Sequence, residues 1–286
     1  MIINPSDLST PRLQSYLQGA VAPRPIAFVS SIDLNGNVNL SPFSFFNMFS
    51  MNPPILIFSP SRRVRDNSTK HTLQNVLEVP EVVINIASFS MVEQTSLASC
   101  DFPKGTNEFI KAGFTPVASQ KVKPPRVSES PVSFECKVNQ VIPLGTEGGA
   151  GNLVICEVLL MHIKDEVLDE EGRINPHKLD AVARMGQDYY CRASGENVFV
   201  VPKPNEKVGI GMDQIPEKIR NSKILTGNDL GRLGNIETLP GQQEIKQLQS
   251  EKSWKDAAAK GEIELHRLAQ RYLKEGRVEN AWKVLL

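Results

Sequence analysis

The chain of 286 residues sets 32 Lys and Arg against 32 Asp and Glu, so its formal net charge is zero and offers no handle for nucleic acid or an anionic membrane. Its length suffices for one large domain plus an appendage. The longest apolar runs, such as 153–163, are broken by charge and too short to span a bilayer, and Met1-Ile2-Ile3-Asn4-Pro5 lacks the regions of a signal peptide, so the cytoplasm is the expected location.

In chain order, Pro23-Arg24-Pro25 is a rigid entry into the β-prone run Ile26-Ala27-Phe28-Val29-Ser30-Ser31. Asn35-Gly36 then supplies the positive φ angles of a tight hairpin. In Leu40-Ser41-Pro42-Phe43-Ser44-Phe45-Phe46-Asn47 small hydroxyls alternate with aromatic rings, and the stretch from Ser41 to Asn47 reads as a loop. Pro53-Pro54 opens a strand over 55–58 that ends in Ser59-Pro60-Ser61-Arg62-Arg63. Ser68-Thr69-Lys70-His71-Thr72 leads into a short helix over 72–79, with Leu73, Val76 and Leu77 facing inward. Residues 81–87 form a strand rich in β-branched side chains. Ser90-Met91-Val92-Glu93 fits a capping box and predicts a helix over 91–98. A Pro/Gly loop covers 101–106, and 107–112 is a helical turn stopped by Gly113.

Two long β segments, 132–142 and 152–167, flank the glycine-rich stretch 145–151. That stretch opens no helix, which rules out a dinucleotide-binding fingerprint and predicts a flexible hairpin tip. Many strands with inserted helices point to a barrel and not a doubly wound sheet. Cys100, Cys136, Cys156 and Cys191 are widely spaced with no C-x-x-C pair, which argues against zinc. Cys136 and Cys156 lie in strand-like runs and read as buried thiols, while Cys100 is the one placed near a ligand. His162 reads as a packed or edge residue. No Ser-His-Asp set, carboxylate pair or metal constellation presents itself, so no catalytic side chain and no metal ligand is assigned.

The character changes after the barrel region, predicted as 1–201. Val201-Pro202-Lys203-Pro204 reads as a linker, and 202–243 as an irregular extension. A helical tail over 244–286 follows, with Leu265, Leu268, Ala269 and Tyr272 at helical spacing, a break at Gly276, then Val278, Ala281, Trp282 and Leu285. Residues 268–282 resemble one tetratricopeptide hairpin. A single repeat cannot bury its own apolar face, so the tail must pack on the barrel, on its dimer mate or on a partner protein, packing on self being expected.

Residues 23–72 bring together flat apolar surface, hydroxyl and amide groups, and a cationic cradle. Flavin mononucleotide (FMN) makes those three demands with its ring, polyol and phosphate. Lys70 and Thr72 begin a helix, where free N–H groups and the dipole favour an anion. Arg62 and Arg63 reach the same point from the strand end, with His71 assisting, while Arg65 reads as surface. Ser41 to Asn47 would serve the pyrimidine edge of the ring, and one or two of Phe43, Phe45, Phe46 and Phe49 would touch it.

Pro-Arg-Pro-Ile-Ala-Phe-Val-Ser-Ser, then Ser-Pro-Phe-Ser-Phe-Phe-Asn, then Lys-x-Thr before a helix resemble the flavin reductase-like (flavoredoxin-type) FMN-binding split barrels over about 17–201. Two departures are His71, where the family often has Asp, and Gly186-Gln187, where it often has paired glycines. The resemblance implies a mainly β split barrel with inserted helices, acting as a homodimer with each flavin near the subunit interface. It implies cofactor contacts from Arg24, Pro25, Ile26, Ser41, Pro42, Phe43, Ser44, Asn47, Ser59, Ser61, Arg62, Lys70, His71, Thr72, Phe102 and Tyr189. For Tyr189 and Tyr190 a surface loop covering core is an equal reading. The implied activity is reduction of FMN by NADH or NADPH, with hydride passing to flavin N5 and electrons onward to an acceptor, such as a monooxygenase partner. Two other readings stand beside it: a flavin electron carrier reduced by a separate enzyme, and an adaptor that recruits a protein through its helical tail.

Overall fold

The computed structural model describes residues 1–202 and 208–286, so Lys203 and Pro204 of the predicted linker lie outside the described residues. The chain divides into two compact units, Met1–Phe199 and Val200–Leu286.

The first unit runs α1 (Thr10–Ala20), β1 (Arg24–Pro25), β2 (Ala27–Ile32), β3 (Val38–Phe43), β4 (Phe46–Met51), β5 (Pro54–Phe58), α2 (His71–Glu78), β6 (Glu81–Ile86), α3 (Val92–Leu97) and α4 (Glu108–Ala112). It continues with β7 (Pro116–Val117), β8 (Arg126–Val127), β9 (Val132–Pro143), β10 (Asn152–Ile163), α5 (Pro176–Leu179), β11 (Val182–Arg184) and β12 (Tyr190–Arg192). Seven strands form one sheet in the order β3-β2-β6-β9-β10-β5-β4, with every neighbouring pair antiparallel. β1, β11 and β12 form a small second sheet, and β7 pairs with β8. Register shifts after Ile155 and Val158 bend the long β9–β10 hairpin. β10 stops at Ile163, short of the predicted 167, because Asp165–Val167 turns as a 3-10 helix.

All six residues of β2 are buried, since both of its faces are covered. Ala27 and Val29 join Phe58, Ile84, Val154, Cys136 and Cys156 on one side, while Phe28 joins Leu40, Met91, Phe109 and Phe114 on the other. Burial pushes both cysteine thiols well up, so they behave as packing groups. α2 lays Leu73 and Val76 on this core, but Leu77 is 66% exposed, because it lies one helical step beyond the stripe that packs. The capping box at Ser90 does not form. Its hydroxyl meets that of Ser88 at 3.0 Å, and a 3-10 turn over Phe89–Met91 precedes α3.

The glycine-rich stretch is no free tip. Gly149 N–H donates to the Arg62 carbonyl at 3.0 Å, Arg62 N–H donates to the Ala150 carbonyl at 2.8 Å, and the Asn152 side chain donates to the Pro60 carbonyl at 3.0 Å. A Cβ on Gly151 would lie 2.7 Å from the Ser59 hydroxyl oxygen. Glycine is needed here so that the hairpin can close over the loop after β5.

In the second unit, the segment predicted as irregular carries α6 (Glu217–Arg220) and α7 (Gly227–Gly234). These precede α8 (Gln242–Ser250), α9 (Lys252–Ala258), α10 (Glu262–Lys274) and α11 (Val278–Leu285). Thr226 and Asp229 form a reciprocal capping box that starts α7. Ile215, Ile219, Leu225, Leu230 and Leu233 then enclose Leu268, Tyr272, Leu273 and Trp282 in one core. The segment before the α10–α11 hairpin thus covers the face that a lone repeat would leave open. Among the described residues no helix is long and apolar enough to cross a membrane.

Trp282 is fully buried, and its indole N–H donates to the Leu233 carbonyl at 3.0 Å. Trp282→Ala removes about 3–5 kcal/mol of packing. The melting transition of the helical unit should fall by roughly 10 °C or more. Circular dichroism during heating reads this, and an unchanged transition would show that the core does not depend on the indole.

Candidate functional site

The site is built where β3, α2 and α4 meet. Thr72, in the first turn of α2, is 1% exposed, and its hydroxyl donates to Asn39 Oδ1 at 2.6 Å. Asn39 Nδ2 donates to Glu108 Oε1 at 3.0 Å, and Leu40 N–H donates to Glu108 Oε2 at 2.9 Å. Burial raises the Glu108 carboxyl above its ordinary value, with the Leu40 and Asn39 hydrogen bonds opposing. A carboxylate only accepts, so Asn39 must turn its N–H groups to Glu108 and its oxygen to Thr72. The Thr72 hydrogen is thereby committed inward.

Beside this chain of bonds lies a small polar pocket whose walls include Ser41, Arg63, Lys70, His71, Cys100 and Phe102. The Lys70 ammonium makes no hydrogen bond or contact ion pair among the described residues, although the charge of Asp101 acts on it. Burial, and then the charge of Arg63, lower its pKa, and the same two causes lower that of His71. Arg63 donates to the Ser68 hydroxyl at 3.0 Å and the Thr69 carbonyl at 2.7 Å and pairs with Asp101, yet its Nε is buried without a partner. Asp101 also pairs with Arg65, which is 67% exposed on the outer rim, and the Arg63 hydrogen bond holds the Asp101 carboxyl below the ordinary range. An unpaired ammonium, an orphaned guanidinium N–H and a helix start together suit an anionic oxygen.

Lys70 and Arg63 also border a larger cleft of about 560 Å³. Its apolar walls are Leu13, Leu17 and Val21 with Phe45 and Val64. Arg24, Ser61 and Arg62 edge it. Both arginines are already engaged. Arg62 donates from Nε to Asn67 Oδ1 at 2.6 Å and from Nη2 to the Asn67 carbonyl at 2.7 Å, with Asn67 held at φ 57°. Arg24 donates to the carbonyls of Gln18 (2.5 Å), Val21 and Met185 (2.9 Å). Arg24 Nε is, like that of Arg63, buried without a partner, but of the three guanidinium groups Arg63 is the one that borders the small polar pocket.

Of the sequence-predicted residues, Ser41, Lys70, His71, Thr72 and Phe102 border the small pocket, and Arg24, Ser61, Arg62 and Lys70 the cleft. The others border neither. Pro25 is exposed in β1, and Ile26 is buried with Ala87 and Val182. Phe43 stacks on Phe58 with ring centroids 5.3 Å apart, and Pro42 is the neighbouring residue of β3. Ser44 lies between β3 and β4, Asn47 is exposed, and Tyr189 is 70% exposed in a turn. Ser59 braces the Asn152 N–H at 3.1 Å. The predicted loop over Ser41 to Asn47 is mostly strand, the end of β3 and the start of β4. Of the four phenylalanines named there, Phe45 alone borders the cleft.

The family model "Flavin reductase like domain" matches residues 20–179. An uncharacterized protein of Aquifex aeolicus is 41% identical over 184 residues, which are 64% of this chain and 91% of that protein. Nitrilotriacetate monooxygenase component B from Bacillus cereus superposes with a TM-score of 0.65 at 30% identity, over 70% of this chain and 98% of its own. A Shewanella frigidimarina protein, described as a flavin reductase with a split barrel domain, gives 0.60 at 25% identity over 71% and 99%.

Thr72→Val leaves Asn39 Oδ1 buried and unpaired, and should cost about 1–3 kcal/mol in denaturant unfolding. Thr72→Ser keeps the donor and should recover most of that loss. Equal stability of the valine and serine variants would mean that the hydroxyl is dispensable.

Proposed function

The chain belongs to the flavin reductase-like family and has its split-barrel fold; from that premise we propose that it is an FMN-dependent oxidoreductase reduced by NADH or NADPH. The observation that carries this reading is the pairing of an anion pocket, with a Lys70 ammonium that makes no side-chain hydrogen bond or contact ion pair among the described residues and an Arg63 Nε that lacks an acceptor, to an adjoining apolar cleft of about 560 Å³. FMN joins an anionic end to a planar apolar one in the same way.

FMN, when bound, supplies the hydride and electron chemistry. The chain's own residues position it. Lys70 and Arg63 hold the phosphate by charge-assisted hydrogen bonds. Thr72, with its hydrogen committed to Asn39, can only accept, which suits a polyol hydroxyl. His71, whose pKa burial and then the charge of Arg63 lower, borders the same pocket. Ser41 adds a hydroxyl to the wall of the small pocket and Ser61 one to the wall of the cleft. No side chain has to act as a general acid or base.

The Bacillus cereus relative is a monooxygenase component. That favours a monooxygenase-type acceptor for the electrons of this chain. The exposed Met48 (60%), Phe49 (64%) and Met51 (81%) on edge strand β4 favour a homodimer, because an apolar sheet edge invites a second copy. We assign the protein to the cytoplasm, where reduced nicotinamide nucleotides are made.

The purified protein should be yellow or take up added FMN with quenched fluorescence, and calorimetry that detects no FMN binding at high micromolar ligand would overturn the reading. NADH or NADPH should be oxidised in steady state when FMN is supplied. Tight FMN binding with negligible turnover would make the protein an electron carrier instead. Lys70→Ala should weaken FMN by roughly ten- to a hundredfold and leave riboflavin, which has no phosphate, nearly unchanged. Equal losses for the two ligands would mean that Lys70 supports the fold and not the phosphate.

A further inference from the structure

On the reading that the chain binds FMN, we infer that helix α1 is one wall of the ring compartment, with Leu13, Leu17 and Val21 forming the apolar surface against which the planar ring lies. The six residues of this segment that border the cleft are Thr10, Leu13, Gln14, Leu17, Gln18 and Val21. They recur three and four apart, which places them in a single stripe. Such a stripe ordinarily packs on a core. Here no residue of α1 is buried, and Leu17 and Val21 remain 55% and 63% exposed, with Phe45 and Val64 also bordering the cleft.

The stripe is not bare because the helix is loose. Arg24 Nη1 binds the Gln18 and Val21 carbonyls, which fixes the C-terminal end. Gly186 approaches the same end so closely that a Cβ there would lie 3.0 Å from Gly19 Cα. At the other end, a Cβ on Gly149 would lie 2.8 Å from Thr10 Cγ2. The helix is therefore held at both ends across a cleft that its own side chains do not fill. An apolar compartment of this size takes a small planar ligand. The occupant must also carry an anionic tail, since Lys70 and Arg63 border both this cleft and the polar pocket. Gln14 and Gln18 supply the polar groups of the wall, and an amide can both donate and accept along the edge of a heterocycle. The charged residue of the helix, Arg12, lies outside this lining and bonds Tyr16 at 3.3 Å. Apart from Ala20, α1 precedes the stretch matched by the family model, so this wall comes from residues the family match does not include.

The test is made on the full chain by titrating FMN and riboflavin and following flavin fluorescence. Leu17→Asp places a charge in the stripe at a half-exposed position, so the fold should tolerate it. Both ligands should weaken by roughly tenfold or more, and by the same factor, because they share the ring. Arg12→Ala, off the stripe, should bind both as the wild type does. The pair Leu13→Ala with Leu17→Ala keeps the helix strong and should give a smaller, again equal, loss, which serves if the aspartate variant misfolds. Unchanged binding of both ligands by the stripe variants overturns the inference while leaving FMN binding in place. Loss of FMN alone also overturns it, since the phosphate would then lie under α1. A wild-type chain that binds neither ligand removes the functional reading and this wall with it.

Discussion

The arrangement of the first unit depends on a buried carboxylate. Glu108, 4% exposed at the start of α4, can only accept hydrogen bonds, and that restriction passes along the chain of contacts. It sets the direction of the Asn39 amide, which in turn sets that of the Thr72 hydroxyl. Three elements from distant parts of the chain are thereby tied at one point, and the first turn of α2 is fixed beside Lys70. The cost of burying a charge is offset by two donors, the Asn39 amide and the Leu40 N–H, and the benefit is an anion pocket whose geometry does not have to be assembled around its ligand.

Features that depend on neighbouring residues were legible in the sequence. The hairpin at Asn35-Gly36, the two long strands and the α10–α11 pair all follow from local periodicity and turn chemistry. Lys70 and Thr72 could be placed at a helix start for the same reason. Asp101 and Glu108 could not, because their meaning lies in partners such as Arg63, Arg65 and Asn39, far back along the chain. Arg62 and Arg63 look alike in sequence. The left-handed Asn67 separates them, since it draws the first guanidinium away from the pocket. Helix α1 left a weak trace, Ser9 and Pro11 before leucines four apart, in a segment otherwise too polar to announce itself.

The glycines around 145–151 show the limit of composition as a guide. Their clustering predicts mobility, yet each close approach to Ser59, Val64 or Thr10 requires a missing side chain. The extension before the helical tail misleads in the same direction. Its glycines and asparagines punctuate short helices, and the apolar residues between them complete a core that only the later helices make sense of.

The strand order also carries a consequence for how the molecule comes to be. The β3-β2-β6 half of the sheet and the β5-β4 half share no direct pairing, and β9 and β10 join them. Ile84 faces Phe134, and Phe58 faces Val154, so each half finds its partner only across a long stretch of chain. On a ribosome, both halves emerge before the hairpin that unites them, leaving the β4–β5 edge unpaired until β10 is made. The helical unit, built from near neighbours in sequence, has no such wait. The first unit is therefore the slow folder, and its unpaired strand edge is the surface that a nascent-chain chaperone would have to shield.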